Sequence, residues 1–141
     1  MVVLRVAAAV VLVLVGLVAL TMARNGLTAK RLLPFHQAGT GRTWDDASPG
    51  EQSVALALTR ALGLGFLAGG LALVTAGVTA VIQADVATYA LAAMGLVFCA
   101  GLGVINRRLT RETSVGTPWK GFLYAALAIV GALALYVLSH V

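Results

Sequence analysis

Four long apolar runs, at about residues 2–23, 54–82, 86–105 and 118–138, occupy most of this 141-residue chain. A helix crosses a bilayer with roughly 20 mostly apolar residues, so each run is long enough to span one. Hydrophobic residues make up 60% of the chain and charged residues 11%, with a mean hydropathy of +0.98. A water-soluble domain of this size has too little polar sequence to cover so much apolar surface. The chain therefore reads as one all-α domain, residues 1–141: an integral-membrane four-helix bundle with cytoplasmic loops at about 24–53 and 106–117.

The charges give that bundle an orientation. Nine of the ten Lys and Arg residues lie in or beside the two polar stretches between run pairs. Arg24, Lys30, Arg31 and Arg42 follow the first run, and Arg107, Arg108, Arg111 and Lys120 surround the link between the third and fourth. The link between the second and third, Gln83-Ala84-Asp85, has no basic residue, and Arg5 stands alone near the start. Basic loops stay on the cytoplasmic side, which predicts both loops inside and both termini outside. Eight Arg against two Lys, with Ala, Val, Leu and Gly dominant, suggests a GC-rich bacterial genome and hence the bacterial plasma (inner) membrane. The alternative for the first run is a signal peptide, with Arg5, an apolar core and Thr21-Met22-Ala23 as a weak cleavage site. Heavier positive charge after the run than before it opposes translocation and favours a retained span.

The net charge of +5 points to anionic lipid headgroups. Nucleic acid is not an expected partner, because the basic residues flank apolar helices and form no soluble face with interleaved aromatics. Arg107, Arg108, Arg111 and Lys120 are the expected headgroup contacts. Cys99 is the only cysteine, so no intramolecular disulfide or thiolate cluster can form, and it reads as a small packing residue.

Local signals set the helix ends. Ser48-Pro49-Gly50-Glu51 has the form of a capping box with proline at the first helical position. A helix from Ser48 to Ile82 would be about 50 Å long, too long for an upright span, so its first turns are expected in the interface, with Arg60 at the border. Asp85 is placed to cap the third helix, Asn106-Arg107-Arg108 to end it, and Thr117-Pro118 to begin the fourth. Between Leu27 and Ala38, Lys30 and Arg31 mix with Leu32, Leu33 and Phe35, and Pro34 interrupts any helix there, with room for a short interfacial one. Trp44, Trp119, Tyr89 and Tyr136 sit where aromatic belts belong.

Helices in lipid associate by close packing, which small residues permit. Gly95, Cys99 and Gly103 form one stripe on the third helix, and Gly65 and Gly69 make a GxxxG step on the second. Ala72, Ala76 and Ala80, and Ala128 with Ala132, add two more stripes. These serve bundle packing or offer a docking face for another subunit.

The apolar runs carry little chemistry. No Asp, Glu, His or Lys lies at mid-membrane depth, whereas ion-coupled transport and proton relays normally use such groups. No catalytic triad, HExxH, phosphate loop or paired metal ligands appear, so no catalytic residue, metal or cofactor is expected. The strongest polar constellation is in the first loop: His36, Trp44, Asp45, Asp46 and Arg60. Arg60 and His36 could bind an anionic headgroup with Trp44 stacking alongside, and Asp45 and Asp46 could hold Arg60.

The same stretch resembles a known family. Arg31-Leu32-Leu33-Pro34-Phe35-His36, then Trp44, then Arg60 and Gly63 on a helix is similar to the pattern of an uncharacterised bacterial family of small four-helix membrane proteins. That family carries a Phe-x-x-(Tyr/Phe)-His loop, a Trp about eight residues on, and Arg-x-x-Gly early in its second helix. The likeness covers residues 28–75, and Leu32 stands where the family has its first Phe. It implies a four-span bundle and carries no activity with it.

The leading expectation is a non-enzymatic small membrane protein, an accessory or assembly subunit of a larger complex or a homo-oligomer. The alternative is a binding or transport module for an anionic lipid or small amphiphile at the cytoplasmic interface. An enzyme is the third reading and would need His36 gathered with Asp45 or Asp46.

Overall fold

The computed structural model describes residues 1–32, 37–38 and 41–141. Four helices account for most of them: α1 Val2–Leu27, α2 Pro49–Val81, α3 Asp85–Thr113 and α4 Trp119–Leu138. Each is long and apolar enough to cross a membrane, and no strand occurs among the described residues. Neighbours pack in the order α1–α2–α3–α4, and α4 closes back on α1, making an all-α four-helix bundle. Val3, Leu14, Leu58, Leu71, Met94, Val97, Leu127 and Val130 all face outward. Such a coat suits hydrocarbon and not water, so the apolar surface that composition cannot hide remains on the outside.

The closest helix pair is α1–α2, and glycine makes it so. Gly63, Gly70 and Gly77 recur every seventh residue along one face of α2. A Cβ at Gly70 would stand 2.9 Å from the Leu20 side chain and 3.0 Å from the Gly16 carbonyl oxygen. At Gly77 it would stand 2.8 Å from the Ala9 carbonyl oxygen, and at Gly63 2.9 Å from the Leu27 nitrogen. These approaches bring backbone to backbone along an antiparallel seam, from Gly26 beside Gly63 to Ala9 beside Gly77. The small residues Ala9, Gly16 and Ala23, also seven apart, are buried on the α1 side.

The small residues singled out in the sequence lie on other faces. A Cβ at Gly65 would be 3.0 Å from the Phe98 ring and one at Gly69 3.2 Å from it, so this GxxxG step is a bed for an aromatic side chain. A Cβ at Gly95 would stand 2.5 Å from the Leu73 side chain, Cys99 is buried, and a Cβ at Gly103 would meet Phe122 more loosely at 3.6 Å. Ala72, Ala76, Ala80 and Ala132 are buried in the core.

The helix ends differ from expectation in four places and agree in one. Ser48 makes the full capping box: its Oγ accepts from Glu51 N at 3.3 Å, and Glu51 Oε2 accepts from Ser48 N at 2.7 Å. Asp85, however, does not cap α3; it is the first helical residue and turns its carboxylate toward α4. Thr117 does not cap α4 either. Its hydroxyl donates to the Asn106 carbonyl at 2.8 Å and pairs with Thr110 at 2.7 Å, leaving Pro118 at the cap position. α3 does not end at Asn106-Arg107-Arg108 but runs on to Thr113, where Ser114 stops it in the left-handed region at φ 55°. α1 runs past residue 23 to Leu27. Of the expected interfacial helix, residues 28–32 are turn, bend or irregular and not helix, only Gln37 and Ala38 are helical among the described residues, and residues 33–36 lie outside them.

Candidate functional site

At the end of the bundle that carries both polar loops, the four helices surround a cavity of about 220 Å³. Each contributes a wall: Met22, Asn25 and Gly26 from α1, Thr59, Leu62, Gly63 and Phe66 from α2, and Leu102 and Asn106 from α3. Pro118 and Phe122 complete it at the start of α4. The floor is aromatic. Phe66 stacks on Phe122 with centroids 5.9 Å apart and meets Phe98 edge to face at 5.2 Å. The Gly26–Gly63 approach fixes one side, because neither residue has a side chain to fill the space.

Among the described residues few polar groups line this cavity, and none of them is charged. Thr59 donates to the Ala55 carbonyl at 2.9 Å, and Asn106 Nδ2 donates to the Leu102 carbonyl at 2.9 Å, which leaves Asn106 Oδ1 as an acceptor. Asn25 is exposed at the mouth. An apolar hollow with one fixed amide, that of Asn106, in its lining suits an apolar chain with a small polar end. Basic residues crowd the surrounding surface. Arg107 Cζ lies 5.4 Å from the Trp119 ring centroid and Lys120 Nζ 5.8 Å from it. Arg108 is committed elsewhere, 2.6 Å from Glu112, while Arg111 is exposed.

The first-loop constellation looks different in three dimensions. Trp44 lines a second hollow of about 490 Å³ with Leu32, Gln37, Arg42, Glu51 and Ala55, and Arg60 is not part of it. Gln52 ties this loop to α2 by donating to the Trp44 and Ala47 carbonyls at 3.0 and 3.1 Å. Asp45 and Asp46 do not hold Arg60. Asp46 instead accepts from Thr43 Oγ1 at 2.7 Å and Thr43 N at 3.3 Å, bonds that hold its carboxyl below the usual range. Glu51 pairs with Arg42 at 3.5 Å, an exposed contact of small energetic value. Arg60 points outward on α2, and His36 lies outside the described residues. Neither Asp45 nor Asp46 lines either hollow. Among the described residues, no group of three or more His, Cys, Asp or Glu side chains is placed to hold a metal ion.

A polar cluster lies at the opposite end of the bundle. Tyr136, fully buried, donates to Asp85 Oδ1 at 2.5 Å. His140 Nε2 lies 3.4 Å from the same oxygen, and its Nδ1 donates to the Tyr136 carbonyl at 2.9 Å. Thr88, also fully buried, donates to Thr79 Oγ1 at 3.0 Å, and the Arg5 guanidinium lies beside the Gln83 side-chain amide, whose oxygen accepts from it once the amide is turned. Every helix or its flanking link enters this cluster. Its members bond to one another, so its geometry is that of a clasp. The sequence signal was present in Asp85, Tyr136 and His140 all falling at one membrane boundary.

Comparison with protein-family models, with curated proteins and with solved structures finds no match.

Proposed function

We propose that this chain is a non-enzymatic multi-pass membrane protein that holds one small amphiphile in the cavity at the loop end of its bundle. The observation that carries the reading is the lining: four helices converge on an uncharged apolar hollow that the core leaves unfilled, with Asn25 and Asn106 at its rim. The chemistry is that of binding. An apolar chain would displace water from Leu62, Phe66, Leu102 and Phe122, at roughly 25 cal/mol for each Å² removed from water. The bilayer is the source of such a ligand, and the bacterial plasma membrane, with both basic loops on its cytoplasmic face, is the proposed setting.

Native mass spectrometry of the protein extracted gently from its own membrane tests the proposal. One retained amphiphile per chain is expected. Leu102→Phe, which fills the cavity, should lose it while thermal stability changes little. A chain that carries no amphiphile under these conditions refutes the reading.

A second reading, a subunit of a larger membrane complex or a homo-oligomer, draws on three outward glycines. A Cβ at Gly101, Gly121 or Gly131 meets nothing within 4 Å, so the backbone there is open to close approach by another helix. The same spectra would then show a stoichiometric protein partner or a second copy.

A further inference from the structure

The cavity has a charged threshold, and its geometry names the ligand's head. Asn106 and Pro118 line the cavity, and the residues next to them in the chain are Arg107 and Trp119, which lie just outside its lining. Arg107 comes from α3 and Lys120 from α4, yet both cations lie against one indole, 5.4 and 5.8 Å from its centroid. Neither has an acidic partner within ion-pair distance among the described residues. Arg108, the neighbouring cation, is already neutralised by Glu112 at 2.6 Å. Two cations around one ring with no acidic partner leave positive charge that an anion at this surface would balance. Arginine offers a planar fork of donors that fits phosphate, and lysine adds a compact charge. The first turn of α4 has no side-chain cap and adds positive potential on the same side.

We infer that Arg107, Trp119 and Lys120 form the headgroup subsite of the cavity, and that its ligand is a single-chain amphiphile with a phosphate head. The inference rests on the cavity reading above and sharpens it. The chain lies between Phe66, Leu102 and Phe122, the rim amides meet the linker region, and the phosphate sits over the α3–α4 link. The link is held for this purpose: Thr117 bonds back to the Asn106 carbonyl at 2.8 Å and to Thr110 at 2.7 Å, fixing α4's first residues against α3.

The test compares three probes against the full chain in neutral detergent: oleoyl lysophosphatidate, monooleoylglycerol with the same chain and no phosphate, and inorganic phosphate. The lysophosphatidate should bind about tenfold or more tighter than monooleoylglycerol, the scale of one or two charge-assisted hydrogen bonds. Arg107→Gln combined with Lys120→Gln should erase that preference, and Lys120→Gln alone should weaken it. Arg108→Gln should leave it intact. Inorganic phosphate should compete poorly because it cannot use the cavity. Equal binding of the two lipids, or a preference that survives the double substitution, overturns the headgroup assignment while leaving the cavity reading standing. Binding of neither lipid overturns both. Inorganic phosphate binding as tightly as the lysophosphatidate would show an anion site independent of the cavity and would also overturn the proposal.

Discussion

The Tyr136 hydroxyl donates to Asp85 Oδ1 at 2.5 Å, joining the last turn of α4 to the first residue of α3 across 51 positions of sequence. Tyr136 is fully buried, and its ring meets Tyr89 and His140 edge to face at 5.6 and 4.9 Å. A hydrogen bond to a charged group contributes about 1.5–3 kcal/mol. Tyr136→Phe should therefore destabilise the bundle by about that amount with its packing preserved, and Asp85→Asn should shift stability in the same direction. Unfolding in mixed micelles, followed by far-ultraviolet circular dichroism, measures both. Tyr136→Ala, which also removes the buried ring, should cost about 3–5 kcal/mol.

The α1–α2 seam makes a sharper demand. A Cβ at Gly70 is caught between the Leu20 side chain and the Gly16 carbonyl, and the carbonyl cannot rotate away. Gly70→Val should push the helices apart and cost on the order of 1–3 kcal/mol or more. Gly101→Val faces open space and should stay within about 0.5 kcal/mol of the parent. If the two substitutions are equally tolerated, the seam is not the tightest contact of the fold.

Ser114 ends α3 at φ 55°, a conformation that costs a non-glycine residue roughly 1 kcal/mol. Ser114→Gly should recover most of that, a stabilisation of about 0.5–1 kcal/mol in the same unfolding assay. Loss of stability instead would mean that the Ser114 side chain carries a contact worth more than its backbone strain.

The first loop should respond to acid. Asp46 is held below the ordinary carboxylate value of 3.8 by its two bonds from Thr43. A group whose pKa is lowered in the folded state stabilises it above the unfolded pKa, and the contribution fades as pH falls through the lowered value. Amide exchange at Asp46 and Ala47, whose N–H groups donate to the Thr43 and Trp44 carbonyls, should therefore quicken below about pH 4 relative to the intrinsic rate. Asp46→Asn should remove that pH response.

Orientation is open to a labelling experiment in a Cys99→Ser background. Gly116 and Ile82 are exposed at opposite ends of the bundle. If the basic loops are cytoplasmic, an impermeant maleimide added to intact cells should label Ile82→Cys and spare Gly116→Cys. Inverted vesicles should reverse the pattern, and the opposite result in cells would invert the proposed topology.

The four spans were legible because periodicity does not matter when a helix is apolar all round: length and hydropathy alone mark it. The Ser48 cap was legible because it is local, with donor and acceptor three residues apart. The roles of Asp85 and Thr117 are hidden for the opposite reason. Each has the right residue type for a local cap, but a partner from a distant segment, Tyr136 or Asn106, competes for the side chain and wins. The seam was harder still. Gly63, Gly70 and Gly77 follow a seven-residue period that matters only once α1 is known to be the partner, while the GxxxG step at Gly65 drew attention by its form and serves only to seat Phe98. The cavity has no sequence signature, since it is the space left between Met22, Leu62, Leu102 and Phe122 on four separate helices. Arg107 and Lys120 were read as headgroup contacts from their position in the chain; their convergence on Trp119 needed the α3–α4 link in three dimensions.

The most direct test of the account is a structure of the protein determined in lipid without added ligand. An elongated density entering beside Asn106 and lying between Phe66, Leu102 and Phe122, with its head over Trp119, is the expected result. A cavity closed by Met22 and Phe122 around no density, with Arg107 and Lys120 free of any anion, would contradict it.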